Sequence, residues 1–269
     1  MGLLAPIACH SPVVREHPLN RGRLAWWMPT PGRLGGGTLF DLMGASHASA
    51  VNGAAWDARG VAFAAAAARY FKAPAPSPGT LGAITFAVRY TPATTGWYPL
   101  LQRFSGFDGY ADGLRIAFGV QPNNVWYADG RACFAIAADA SGLAPGSEYF
   151  DVLTVGAAPG TGYAEPTIYH NGAALAPSTC VSTGPLNDTS ALPIWIGVDR
   201  GPSYANGWTR EASVWDRALS AAEVAQLYAE SRAGYPNLLR RVAGPPPALW
   251  AAAHGPAFAR YPRRGAILH

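Results

Sequence analysis

Hydrolysis of a glycosidic bond needs two carboxyl groups set a defined distance apart on one face of a sheet. Strands supply such pairs as alternating acids, because side chains of one face recur every second residue. No strand-like run of this 269-residue chain carries Glu-x-Asp or Glu-x-x-x-Glu. The nearest acids, Asp108 and Asp112, stand in a glycine-rich stretch where aspartates serve as turn formers. Gly201-Pro202-Ser203-Tyr204-Ala205 comes closest to a nucleophile elbow, but its proline and final alanine remove the sharp turn that chemistry requires. There is no His-Glu-x-x-His, Walker loop or paired Cys-x-x-Cys. The six histidines (His10, His17, His47, His170, His254, His269) are scattered without ligand spacing. No catalytic residue and no metal-ligand set is therefore assigned. Stacking chemistry remains. Among the aromatic residues Trp97, Tyr98, Tyr110, Trp126, Tyr127, Tyr204 and Trp208, the candidates for a saccharide platform are Tyr110, Trp126, Tyr204 and Trp208, since aromatic faces pack on sugar rings. The competing reading is that sandwich aromatics are core; Trp26, Trp195 and Trp215 lie in runs that read as buried strand.

The elements that would position these groups are short. Charged residues are 13% of the chain, against roughly 25% in an ordinary globular domain, and 31 Gly and 24 Pro punctuate it. A hydrophobic content of 49%, with 9 Trp, 12 Tyr and 10 Phe, supplies the apolar surface a disordered chain lacks. Strand candidates are Leu24–Met28, Leu81–Thr91, Trp97–Phe104, Gly113–Val120, Arg131–Ala137, Tyr149–Gly156, Thr167–His170, Pro193–Val198 and Thr209–Trp215. In Ile84–Tyr90 the even positions carry the larger apolar side chains, which marks a strand with one face on a core. Asn52-Gly53, Asp108-Gly109, Asp112-Gly113, Asp129-Gly130, Asn171-Gly172 and Asn206-Gly207 tolerate the positive φ of tight hairpin turns. The fold class is all-β, an antiparallel sandwich or jelly roll.

One helix is expected. Ser220 and Glu223 form a capping box; Val224, Leu227 and Tyr228 share a face; Gly234 and Pro236 end the run. The alanines Ala64–Ala68 are too few for a second helix and read as strand edge or loop. Cys9, Cys133 and Cys180 cannot all pair, so no disulfide framework is expected. Leu3–Cys9 lacks a preceding basic residue and is interrupted by Pro6, so no signal peptide is expected. No stretch approaches the ~18 apolar residues of a membrane span. Asn187-Asp188-Thr189 fits a glycosylation acceptor and reads as a loop.

The stretch Trp208–Tyr228 resembles the closing signature of laminin-G-like jelly rolls, part of the wider concanavalin A-like lectin/glucanase fold. In that family a last strand runs into an aromatic, an Asn/Asp-Arg and a Leu-Ser that caps a helix. Trp215-Asp216-Arg217-Ala218-Leu219-Ser220 and Glu223 match it. Tyr169-His170-Asn171-Gly172 resembles the family's hairpin, and Ile194-Trp195-Ile196-Gly197 its penultimate strand. Leu24–Trp27 and Phe40-Asp41-Leu42-Met43-Gly44 resemble the opening strand and the Asp-x-Ser-Gly loop. The resemblance implies calcium near that loop. Here Met43 replaces the serine, Arg210 stands where an acid often precedes Glu211, and alanines follow Phe63. Asp41 with Glu211 is a thin carboxylate supply for a cation that takes several oxygen ligands. No cofactor is expected.

Residues 1–23 read as an N-terminal extended arm, 24–234 as the jelly-roll domain with its short C-terminal helix, and 235–269 as a basic, Pro-rich C-terminal arm. The five arginines of that last segment leave 15 basic against 16 acidic residues elsewhere. With no periodicity, it cannot build its own core. Leu238, Leu239, Arg240, Arg241, Trp250, Phe258, Arg260, Tyr261, Arg263 and Arg264 read as anchors on another protein chain. Nucleic acid is the lesser choice for a segment without lysine or a stacking motif. The flanks His17–Gly22 and Gly234–Leu239 resemble those of such domains in tailed-phage virion proteins. The expectation is a non-enzymatic virion structural protein, a capsid decoration or accessory component assembled in the host cytoplasm. Its partners would be other copies of the chain, the major capsid protein or further virion proteins, with no membrane. The alternative is a carbohydrate-binding module that attaches to host or cell-surface glycans.

Overall fold

The computed structural model describes residues 13–28, 37–57, 60–75, 83–95, 98–104, 115–121, 124–129, 134–138, 144–157, 164–175, 191–199 and 203–239. In chain order the strands are β1 (Arg23–Trp27), β2 (Thr38–Leu39), β3 (Ala48–Val51), β4 (Ala55–Asp57), β5 (Gly60–Phe63), β6 (Tyr70–Ala73), β7 (Ile84–Pro92) and β8 (Tyr98–Phe104). There follow β9 (Arg115–Gln121), β10 (Asn124–Asp129), β11 (Phe134–Ala138), β12 (Tyr149–Ala157), β13 (Ala164–His170), β14 (Ala173–Leu175), β15 (Ile194–Ile196) and β16 (Gly207–Trp215), then helix α1 (Ala221–Ala233). All pairings are antiparallel. The first sheet has the order β14-β13-β12-β7-β16-β5-β4, with β1 also on β16. The second runs β11-β10-β9-β8-β15-β6-β3-β2.

The alternation along Ile84–Tyr90 does the work expected of it. Ile84, Phe86, Val88 and Tyr90 point between the sheets, in register with Leu153 and Val155 of β12 and with Ala212 and Val214 of β16. Phe71, Leu101, Phe118, Val120, Ile194 and Ile196 meet them from the second sheet. Each fully buried side chain of this size contributes roughly 1.5–3 kcal/mol. The alanine run forms a single 3-10 turn at Ala65–Ala67 that closes on Ala68 in the left-handed region (φ 49°).

A third layer covers the outer face of the first sheet. There Trp26, Ala87, Phe150, Val152, Tyr169 and Trp215 form a second apolar cluster with Val224 and Leu227 of α1. The helix starts as its capping box dictates: Ser220 Oγ accepts from Glu223 N (3.3 Å) and Glu223 Oε2 from Ser220 N (2.9 Å). It ends at Gly234 in the left-handed region (φ 77°). The signature residues of the resemblance tie the layer down. Trp215 Nε1 donates to Leu19 O at 2.8 Å, and Arg217 joins Glu223 to the Pro18 and Arg21 carbonyls.

Both flanks belong to this layer. Val13 bridges Leu239, and Val14 N donates to Leu238 O at 2.8 Å. Val13, Leu19, Tyr235 and Leu238 are all buried in the cluster. A boundary at residue 23 cuts through β1, and the folded unit reaches at least from Val13 to Leu239.

Candidate functional site

Where the C-terminal end of α1 lies over the strand ends of β7, β12 and β13, a cleft of about 350 Å³ opens, lined by Arg89, Glu148, Tyr149, Phe150, Asn171, Tyr228, Ser231 and Arg232. Its volume lies at the low end of small-molecule sites. Four separate pieces of chain build it. Arg89 stands on the outward row of β7, since its neighbours Val88 and Tyr90 are core. It donates to Ser231 O (2.8 Å) and to Glu148 Oε1. The other Glu148 oxygen accepts from Arg210 Nη1 at 2.9 Å, so one carboxylate bridges two guanidinium groups. Arg232 donates to the Tyr228 hydroxyl (3.2 Å) and lies over that ring at 5.8 Å, and Tyr228 in turn packs on Phe150 at 5.9 Å. Below Ser231, the buried Glu211 accepts its Oγ at 3.2 Å. Burial pushes the Glu211 carboxyl up from its ordinary range.

The Asn171 wall is fixed from behind. Asp151, fully buried, accepts from Tyr90 OH (2.8 Å) and faces His170 Nδ1 at 2.6 Å. Asn171 Oδ1 accepts from Phe150 N (3.1 Å), which turns its amide nitrogen toward His170 Nε2 at 3.1 Å. That nitrogen must then accept, so the imidazole proton sits on Nδ1 and is given to Asp151. The chain of bonds crosses β7, β12 and β13 and ends on the cleft wall. Burial, reinforced by Asp151, raises the Tyr90 hydroxyl well above its usual pKa.

The residues named for calcium are engaged elsewhere. Asp41 Oδ1 accepts from Trp26 N and Met43 N, and Oδ2 from Ala45 N and Ser46 N, all at 2.8–3.0 Å. Four backbone donors occupy the lone pairs a cation would need. Glu211 lies under Ser231, beside the buried Arg23 guanidinium. No group of three or more His, Cys, Asp or Glu able to hold a metal forms among the described residues.

Neither of the two saccharide candidates among the described residues, Tyr204 and Trp208, lines the cleft. Tyr204 stacks on Tyr70 (6.2 Å, 23°) on the outer face of the second sheet, where Tyr70 also meets Trp195 at 5.5 Å. Lys72 Nζ covers the Trp195 ring at 4.5 Å, and Trp195 is 4% and Tyr70 9% exposed, which leaves little ring face for a sugar. Trp208 is half-buried on the opposite side of the sandwich, in register with Ala62 and Thr91. Trp126 falls on β10, whose side chains lie outside the described residues, as does Tyr110. The partner anchors need a correction. Leu238 is fully buried within its own chain, and Leu239 packs on the same cluster, because an isolated bridge and a backbone hydrogen bond hold residues 238–239 to residues 13–14. Arg240, Arg241, Trp250, Phe258, Arg260, Tyr261, Arg263 and Arg264 lie outside the described residues. Sequence reading missed Arg89, Glu148, Ser231 and Arg232; the one local signal was a lone charge inside the apolar run of β7.

No curated protein matches the chain. Among solved structures it is similar in fold to the botulinum neurotoxin serotype C1 binding domain (12% identity, TM-score 0.56, covering 78% of this chain and 52% of that one). It is likewise similar to the serotype D/C binding domain (10%, 0.57, 79% and 53%) and to Trypanosoma rangeli sialidase (17%, 0.53, 79% and 33%). The chain thus spans about half the length of those binding domains and a third of the sialidase. A laminin-G family model, described as the concanavalin A-like lectin/glucanases superfamily, matches residues 66–225. With that match over most of both sheets and the start of the capped helix, the chain belongs to the concanavalin A-like lectin/glucanase superfamily.

Proposed function

We propose that this chain is a non-catalytic carbohydrate-binding module and that the cleft beside α1 is its binding site. The observation that carries the reading is the lining itself: an amide at Asn171, guanidinium groups at Arg89 and Arg232 and the Tyr228 ring converge on about 350 Å³. Planar donors for sugar hydroxyls beside an aromatic face are the groups a pyranose ring satisfies. The superfamily's description as lectins and glucanases supports the reading, as does the fold's use in toxin binding domains and a sialidase. Absence of catalysis is part of the proposal. Glu148 is the one carboxylate of the lining among the described residues, and two arginines already hold it, whereas glycosidic hydrolysis uses two carboxyl groups.

Placement on a tailed-phage virion is a proposal that rests on the flanking sequences, and a glycan-binding role would suit it as a host-attachment element. A glycan array probed with the full chain tests the central claim. Binding that is lost in Arg89→Ala and Tyr228→Ala supports it, and so does recovery of the bound glycans intact. Failure to bind any glycan overturns it, and release of cleaved sugar overturns its non-catalytic part.

A further inference from the structure

We propose that the cleft selects glycans bearing an acidic substituent, a carboxylate or a sulfate, and that Glu148 is an internal competitor occupying the anion position until ligand displaces it. This rests on the carbohydrate reading and narrows it to a chemical class.

The argument starts from charge. Arg89, Arg210 and Arg232 stand at the cleft or on its rim, against Glu148, the one carboxylate of the lining among the described residues. Other acids near the cleft are buried: Glu211 behind Ser231, Asp151 between Tyr90 and His170, and Glu230 against Asn237. The mouth is therefore net positive with Glu148 in place, and more so without it. A low-dielectric concavity of one sign concentrates ligands of the other.

Geometry makes the preference specific. Each Glu148 oxygen meets a different guanidinium, one that of Arg89 and the other that of Arg210. The carboxylate thus shows where an anion sits when two arginines hold one oxygen each. Guanidinium groups present paired donors that match carboxylate and sulfate oxygens alike. Arg89 cannot swing away, because its other nitrogen is held by Ser231 O at 2.8 Å. Glu148 is less constrained: its side chain is 34% exposed and the Arg210 side chain 43%. Ion pairs this exposed add little to stability, so giving up Glu148 for a ligand anion costs little. The Tyr228 ring would then lie under the sugar, with Arg232 held against it.

Titration calorimetry on the full chain tests this, with three matched oligosaccharide probes: one ending in glucuronic acid, its sulfated counterpart and its neutral glucose counterpart. The expected result is at least about tenfold tighter binding of one or both acidic probes than of the neutral one, weakening as salt rises. Glu148→Gln should tighten the acidic probes about tenfold relative to the neutral one. Arg210→Gln, at an exposed position, should weaken the acidic probes more than the neutral one. Unfolding midpoints close to the parent's establish that both variants are folded, and the salt dependence of the parent needs no variant at all. Equal binding of all three probes, abolished by Tyr228→Ala, would overturn the acidic preference and leave the carbohydrate reading standing. An acidic preference that Glu148→Gln fails to raise would overturn the competitor role. No binding of any probe, in calorimetry or on the array, overturns both readings.

Discussion

His170 Nδ1 lies 2.6 Å from Asp151 Oδ1, in a space where the carboxylate is wholly buried and the imidazole 8% exposed. The pair joins two neighbouring strands side chain to side chain, and Tyr90 adds a third by donating to the other carboxylate oxygen. Removing the carboxylate leaves two buried donors unanswered at once. Asp151→Ala should lower unfolding stability by about 2–5 kcal/mol, since each buried donor that loses its acceptor costs about 1–3 kcal/mol. Tyr90→Phe, which deletes one hydrogen bond and leaves the rest, should cost about 1–2 kcal/mol. Urea unfolding monitored by tryptophan fluorescence measures both. An Asp151→Ala loss under about 1 kcal/mol would mean that the network does not hold these strands.

Glu211 gives a pH dependence whose sign is fixed by its surroundings. Burial raises its carboxyl above the ordinary value of 4.5, outweighing the Tyr235 hydroxyl and the Arg23 and Arg89 charges that pull it down. The folded state then binds this proton more tightly than the unfolded chain does. The resulting stabilisation is present in full below the unfolded value and is lost as pH rises through the folded one. Glu211→Gln cannot lose a proton, so the parent's stability minus the variant's should be greatest in acid. It should decline as pH rises above about 4.5 and level off beyond the folded value. Urea titrations of both proteins from about pH 4 to about pH 8 supply the difference; a flat or rising curve would contradict the assignment.

Most of the sandwich could be read from local patterns, and the parts that could not share a cause. Strand β7 announced itself because large apolar residues alternate over Ile84–Tyr90, and α1 because Ser220 and Glu223 can cap only a helix. Strands β3, β4 and β5 went unread, being short and carrying alanines that have no β preference to show. Tyr70–Ala73 and Asn124–Asp129 went unread as well, each short and close to turn-forming residues. The cleft was hidden for a different reason. Arg89, Glu148, Asn171 and Arg232 meet only because the β7–β12–β13 pairings and the helix crossing bring them together. No periodicity within one segment encodes such a meeting. Of the aromatic candidates, Tyr204 turns its ring onto Tyr70, which also meets Trp195, a cross-strand meeting that no local pattern encodes.

Asp41 settles how this family's loop is held here. Its carboxylate satisfies four backbone N–H groups, from Trp26 on β1 and from Met43, Ala45 and Ser46 in the loop. Charge-assisted bonds of this kind are worth more than neutral ones. Asp41→Ala should therefore cost about 3 kcal/mol or more by urea unfolding. Saturating calcium or excess chelator should move the parent's melting temperature by less than about 1 °C, because a ligand stabilises only the state that binds it. A calcium-dependent rise would mean that the metal competes successfully with those four donors.

Gly172 meets Tyr228 where the hairpin passes under the helix, and two separate constraints act on it. Its φ of +84° lies in the left-handed region, as does that of Asn171 before it at 50°. A Cβ at Gly172 would also come within 2.7 Å of Tyr228 Cδ1 and 3.1 Å of Tyr228 Cβ. The backbone alone costs an alanine about 1 kcal/mol. Collision with a ring packed on Phe150 adds to that, so Gly172→Ala should cost about 2–3 kcal/mol. In a Tyr228→Ala background the ring is gone and only its Cβ remains, and the same substitution should cost about 1 kcal/mol. The gap between the two backgrounds measures how firmly helix and hairpin are pressed together. It bears on the cleft as well, since Asn171 forms one wall and Tyr228 another. Equal costs in both backgrounds would mean that the two elements do not touch in solution, and a cleft between them would lose its rigid frame.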